Sequence, residues 1–191
     1  MTAETIRRSP LAHRAADLAA LPVTIVETPF LTQLDLRLNA EAPVAAEVGK
    51  VIGGPLPVVP NTASRFGELE VLWLGPDEWL LIAPAGRQRD LIEELVAAIG
   101  DSDAAVTDVS AQRTTLEVSG TSARELLARG CAIDLHPSVS PAGTCVQSLL
   151  AQTGIIIVVR DDTASDFRLL VRSSFADYLA SWLVDACVEL S

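Results

Sequence analysis

The sequence predicts an α+β protein, mainly antiparallel, with helices packed on the faces of its sheets. Three observations carry that prediction. The stretch "LTQLDLRLN" (31–39) alternates with the period of two that marks a half-buried strand. Two stretches, Leu91 to Ile99 and Phe175 to Ala186, space their apolar residues as one face of a helix. A strand, turn, strand, loop and helix then follow one another twice, an internal echo of the kind duplicated units leave.

Along the chain, residues 1–22 read as an N-terminal arm and 23–191 as a single domain. Pro10 and Pro22 frame a short alanine-rich helical piece, Leu11 to Leu21, with little to build a core. Such an arm is expected to lie across a partner and gain order on docking. In 31–39, Leu34, Leu36 and Leu38 face one way, while Gln33, Asp35, Arg37 and Asn39 face the other. "APVAAEVGKVIGG" reads as a short helix with Pro43 in its first turn, where a missing N–H costs nothing. "GGPLPVVPNTAS" is a proline-rich connector.

The first copy of the echo is "LEVLWLGPDEWLLIAPAGRQRDLIEELVAAIG" and the second "GIIIVVRDDTASDFRLLVRSSFADYLASWLVDAC". Asp166-Phe167 stands where Glu78-Trp79 does. The first helix puts Leu91, Ile92, Leu95, Val96 and Ile99 on one face and stops at Gly100. The second is expected to bury Phe175, Leu179, Trp182, Leu183 and Ala186, with Ser174 as its N-cap. Trp79 and Trp182 read as core aromatics. Between the copies, Thr114 to Ser119 alternates as a strand with Leu116 and Val118 inward. "SARE" (Ser122 to Glu125) has the form of a capping box opening a short helix that ends at Gly130.

Composition narrows the function classes. The 191 residues are 49% hydrophobic, yet apolar runs such as Ile155–Val159 are strand-sized, far short of the ~18 residues of a membrane span. The surplus apolar surface belongs in a core or against another protein. A net charge of -11 counts against nucleic acid, which needs a basic face, and against an anionic membrane. The first residues lack the apolar stretch of a signal peptide, and three cysteines, an odd number, fit a reducing compartment. A cytoplasmic protein is expected.

Chemical candidates centre on "GCAIDLHPSVSPAGTC" (130–145), which holds Cys131, His136 and Cys145. Structural zinc takes four ligands, usually in close pairs, and no such pair exists here; His13 and Cys187 lie at opposite ends of the chain. Cys131 and Cys145 have apolar neighbours and read as buried hydrophobes, and His136, preceding Pro137, as a hydrogen-bonded turn residue. Gly53-Gly54-Pro55 lacks the Gly-Lys-Ser/Thr of a phosphate loop, and no dinucleotide fingerprint follows a strand. The carboxylate pairs Asp161-Asp162 and Glu93-Glu94 sit in a turn and on a helix's solvent face, with no visible cause for a shifted pKa. No self-contained catalytic, cofactor-binding or metal set emerges.

"RSPL", "LGPDEWLLIAP", "TDVSAQRTTLEVSG", "GCAIDLHP" and "RSSFADYLASWLVDA" together resemble the gamma subunit family of heterotetrameric sarcosine oxidase, from about Arg8 to Ala186. That family is similar in turn to the two-lobed, folate-binding fold of the aminomethyltransferases, the T-proteins of glycine cleavage. The resemblance implies a complex that oxidises sarcosine to glycine, reduces O₂ to H₂O₂, and passes the one-carbon unit to tetrahydrofolate or releases it as formaldehyde. It implies alpha, beta and delta subunits as partners, with FAD, FMN, NAD, tetrahydrofolate and zinc held by those partners rather than by this chain. Active aminomethyltransferases carry a Gly-Gly-Ile-x-Asp-Asp stretch. In "TGIIIVV" Gly154 is retained, but Ile157 and Val158 stand where the acids would be. A non-catalytic, assembling subunit is therefore expected. The alternatives are a free-standing folate-binding protein and a scaffold subunit of another N-methyl amino-acid oxidoreductase.

Overall fold

Two five-stranded antiparallel sheets stack face to face, and helices cover the outer face of each. This computed structural model describes residues 7–188 and 190. In chain order the elements are α1 (Ala15–Ala19), β1 (Thr24–Thr28), β2 (Thr32–Leu38), α2 (Val44–Ile52), β3 (Ala63–Phe66), β4 (Leu69–Gly75), β5 (Glu78–Ala83) and α3 (Gln88–Ile99). There follow β6 (Ala104–Asp108), β7 (Arg113–Ser119), α4 (Ala123–Ala128), β8 (Cys145–Leu150), β9 (Thr153–Val159), β10 (Asp166–Arg172) and α5 (Ala176–Cys187).

One sheet runs β3-β4-β5-β2-β6, the other β8-β9-β10-β7-β1. Written this way the sheets correspond strand for strand, with α2 and α3 on the first answered by α4 and α5 on the second. The echo in the sequence, β4-β5-α3 against β9-β10-α5, is the part of this correspondence that hydropathy reveals. Each half also sends its opening strand to the other half's sheet: β1 pairs with β7, and β6 pairs with β2.

Three apolar layers result. Leu34, Leu36, Trp79 and Leu81 meet Val48, Leu91 and Leu95 of α2 and α3. Leu116, Ile157, Phe167 and Leu169 meet Leu126, Leu179 and Leu183 of α4 and α5. Between the sheets lie Leu72, Leu80, Ile82, Cys145, Ile156, Val158 and Leu170. Both faces of each central strand are thus covered. Gln33 is buried and donates from Nε2 to the Arg113 carbonyl at 3.0 Å. The "other" side of 31–39 therefore begins between the sheets at Gln33 and opens to solvent at Arg37 and Asn39.

Several local expectations are corrected. Of the arm, residues 1–6 lie outside the described residues. In the rest, only Ala15–Ala19 is α-helical, and Leu11 and Leu18 join the core beneath the second sheet. Ser9 donates to Glu27 at 2.6 Å, and Arg14 reaches Asp177 and Ser181 of α5 at 3.2 and 3.0 Å. The segment packs on its own lobe because Leu11 and Leu18, seven residues apart, share one side of it. Ser122 occupies the N-cap of α4 but makes no side-chain cap, and Glu125 instead pairs with Arg129 at 3.2 Å, so no capping box forms. A 3₁₀ turn at Ser173–Phe175 precedes α5, which rotates the helix face: Ser174 does not cap it, and Phe175 is 45% exposed. On α3, Leu91, Leu95 and Ile99 form the buried stripe while Val96 is 53% exposed. Trp79 is enclosed and donates from Nε1 to the Pro57 carbonyl at 2.8 Å.

Candidate functional site

The three groups in 130–145 are not brought together. Cys131 ends up in the core under α4 and α5, its Sγ 3.6 Å from the Ser148 hydroxyl. Cys145 points the opposite way from β8, into the layer between the sheets. Burial, and secondarily the charge of Glu70, push its thiol pKa up to about 12, so it is no nucleophile at neutral pH. His136 is exposed, its Nδ1 2.7 Å from the Ser138 hydroxyl within its own turn. Gly130 does more than stop a helix. A Cβ there would lie 2.4 Å from the Trp182 ring, so the missing side chain is what lets α5 close onto the loop. All three cysteines are free thiols.

The carboxylate pairs are likewise engaged in structure. Burial acts to raise the pKa of Asp161, but four hydrogen bonds outweigh it: from Thr163, from the Ser165 hydroxyl and N–H at 2.8 Å, and from the Asp166 N–H at 2.9 Å. The carboxyl is held well below its usual range. This corrects the expectation of an unshifted turn acid; the cause is an Asx-type loop whose donors the sequence does not display. Glu93 pairs with Arg89 one helical turn away, at 2.9 Å. Among the described residues, no group of three or more His, Cys, Asp and Glu is placed to hold a metal ion.

Two polar clusters are present that hydropathy hides. Between the sheets, Arg168 of β10 reaches Glu70 of β4 at 2.5 Å and Glu117 of β7 at 2.6 Å, with Arg160 at 3.5 Å from Glu117. Burial works against the charge on Arg168, but Glu70 and Glu117 more than offset it and raise its pKa. The second cluster lines a hollow of about 350 Å³ at one end of the inter-sheet layer, where Arg113 and Arg172 stand beside Gln147, Gly154 and Phe175. Period two carried a clue to the first cluster: Glu70 shares a face with Leu72, and Arg168 with Leu170.

The model of the sarcosine oxidase, gamma subunit family matches residues 37–189. This chain belongs to that gamma subunit family. The sarcosine oxidase subunit gamma of Corynebacterium sp. (strain P-1) is 35% identical over 98% of this chain and 93% of its own length. In the solved heterotetrameric sarcosine oxidase from Corynebacterium sp. U-96, in complex with pyrrole 2-carboxylate, one chain superposes with a TM-score of 0.89 at 34% identity. That match covers 97% of this gamma-family chain and 96% of the other. The fold extends further. The glycine cleavage aminomethyltransferase T of Bartonella henselae matches with a TM-score of 0.59 at 16% identity, over 90% of this chain and 48% of that one. In this gamma-family fold, Ile157 is packed against the helices and Val158 between the sheets, both at most 1% exposed. Gly154, three residues earlier on the same strand, is exposed.

Proposed function

We propose that this chain is the gamma subunit of a heterotetrameric sarcosine oxidase, where it supplies a docking body and no reacting group. Its partners in this reading are the alpha, beta and delta subunits. FAD, FMN, NAD, tetrahydrofolate and zinc then reside in those partners, and the assembly works in the cytoplasm. The complex oxidises sarcosine to glycine, O₂ is reduced to H₂O₂, and the one-carbon unit leaves on tetrahydrofolate or as formaldehyde. The observation that carries the reading is the near full-length likeness, in sequence and in backbone, to a chain of a heterotetrameric sarcosine oxidase. A T-protein-like, folate-binding ancestry for the two-sheet body is part of the same proposal. It is supported by the aminomethyltransferase match and by Gly154 standing before apolar Ile157 and Val158.

Enclosed isoleucine and valine offer no acid to an amine or a pterin, and the conspicuous thiols and carboxylates are bound up in packing or turns. The chain purified alone is expected to be colourless and to show no thermal shift with tetrahydrofolate. Co-expressed with flavoprotein subunits of the same oxidase, it should enter a stoichiometric yellow complex that turns over sarcosine. Micromolar folate affinity or amine oxidation by the isolated chain would overturn the proposal.

A further inference from the structure

Four neighbouring strands of the second sheet present one row of residues on the face that looks toward the first sheet. Leu149 of β8 stands opposite Gly154 of β9, and Arg172 of β10 stands opposite Arg113 of β7. Val171 opposite Ile155 places Arg172 beside Gly154 and makes the row continuous. In the next row inward, Gln147, Ile156, Leu170 and Thr115, the last three are buried and begin the covered layer, while Gln147 at the edge is exposed. The outer row is left open: Leu149 is 59% exposed, and a Cβ built on Gly154 would meet no atom within 4 Å.

Two like charges directly opposite each other across antiparallel strands repel, and in isolation the pair is destabilising. Neither guanidinium ion-pairs or hydrogen-bonds through its side chain among the described residues. Asp35 and Glu78 act on Arg113 from a distance, but both are held by Arg37, at 3.6 and 2.7 Å. With no carboxylate in direct contact, the arginine pair attracts an anion although the chain as a whole carries a net charge of -11. Its surroundings mix polar side chains, Gln147, Ser148 and Gln152, with exposed apolar ones. Phe175 lines the hollow, and Tyr178, 40% exposed, receives the Gln152 N–H at the same rim. Tyrosine, phenylalanine and arginine beside a small depression are residue types enriched at protein–protein interfaces.

We propose that the row Leu149–Gly154–Arg172–Arg113 is a docking face for a partner subunit that inserts a carboxylate side chain, flanked by apolar residues, against the two guanidiniums. The proposal rests on the assembly reading above. Gly154 supplies the room: without a side chain at that point the incoming carboxylate lies beside Arg172 over the bare strand. Arginine suits this task because its planar fork binds a carboxylate through two parallel hydrogen bonds.

The test is co-expression with the other subunits of the oxidase, using Arg113→Gln/Arg172→Gln and, separately, Gly154→Val. Melting of each purified variant chain monitors the fold. Valine favours strands and meets no obstacle at 154, so that variant should melt like the wild type. Both variants are expected to weaken retention in the complex by about tenfold or more, and wild-type retention should fall as salt rises. Wild-type retention of both variants would overturn the inference while leaving the assembly reading standing. Failure of the wild-type chain to assemble would remove the assembly reading and the inference with it. If millimolar acetate or malonate stabilises the isolated wild-type chain but not the glutamine variant, and assembly is unaffected by either substitution, the row is a site for free carboxylates and the docking claim falls.

Discussion

Arg168 bears on stability because of what its removal would strand. Its side chain is 15% exposed and that of Glu70 9%, and the two sit between stacked sheets with leucines around them. Cutting one member of such a pair leaves the other charged and dry, which costs far more than the intact pair contributes. Arg168→Ala is expected to lower unfolding free energy by about 3–5 kcal/mol in urea titrations. Arg168→Met combined with Glu70→Gln should recover most of that loss. Cys145 makes a separate prediction in alkali. An unfolded thiol ionises near a pKa of about 8.5, whereas the native one waits until about 12. Between those values the unfolded chain binds fewer protons than the native chain, so the thiol's contribution is complete below the lower pKa and is lost as pH rises. Cys145→Val should make the alkaline decline shallower by about 1.4 kcal/mol per pH unit. Denaturation midpoints at pH 9, 10 and 11 measure it.

Among the elements, the contact between the loop after α4 and the face of α5 sets a tight tolerance. Gly130→Ala would drive a methyl to 2.4 Å from the Trp182 ring and 3.1 Å from the Ala151 backbone nitrogen. The expected cost is about 1–3 kcal/mol, read as a fall in melting temperature and partly relieved by Trp182→Phe. Such contacts also explain what the sequence disclosed. The strands and helices of the echo were readable because Trp79 and Phe167, Leu95 and Leu183 repeat the same inward positions. Strands β1, β3 and β6 ("TIVET", "ASRF", "AAVTD") are short edge-side strands with no clean alternation, so no period announces them. Ser122 and Ser174 had the right residue type for a cap, but tertiary packing assigned them other geometry. At the candidate docking row, Gly154 was conspicuous as a family motif. The opposition of Arg113 and Arg172 depends on strand register, which single-sequence reading does not provide.

At the scale of the whole molecule, the exchange of β1 and β6 between the halves governs cooperativity. Each sheet contains a strand belonging to the other half, and the Arg168–Glu70 pair ties the sheets across their shared layer. The two halves are therefore expected to melt in a single transition, with calorimetric and van't Hoff enthalpies equal. Two separate transitions would contradict it. A chain split in the loop between α3 and β6 should give fragments that fold only when mixed, detectable by circular dichroism of each piece and of the pair.

The exchanged strand has a consequence for synthesis on the ribosome. Thr24 of β1 pairs with Ser119 of β7, so the first strand to emerge must wait for roughly ninety further residues before its neighbour exists. At about 5–20 residues per second that interval is on the order of 5–20 s. During this time a half-buried strand edge and the leucines before it have nothing to cover them. The arginine-bearing row is completed later still, since Arg172 at the end of β10 follows Arg113 at the start of β7 by about sixty residues. Until β10 has been made, a nascent chain therefore carries Arg113 without the arginine that faces it.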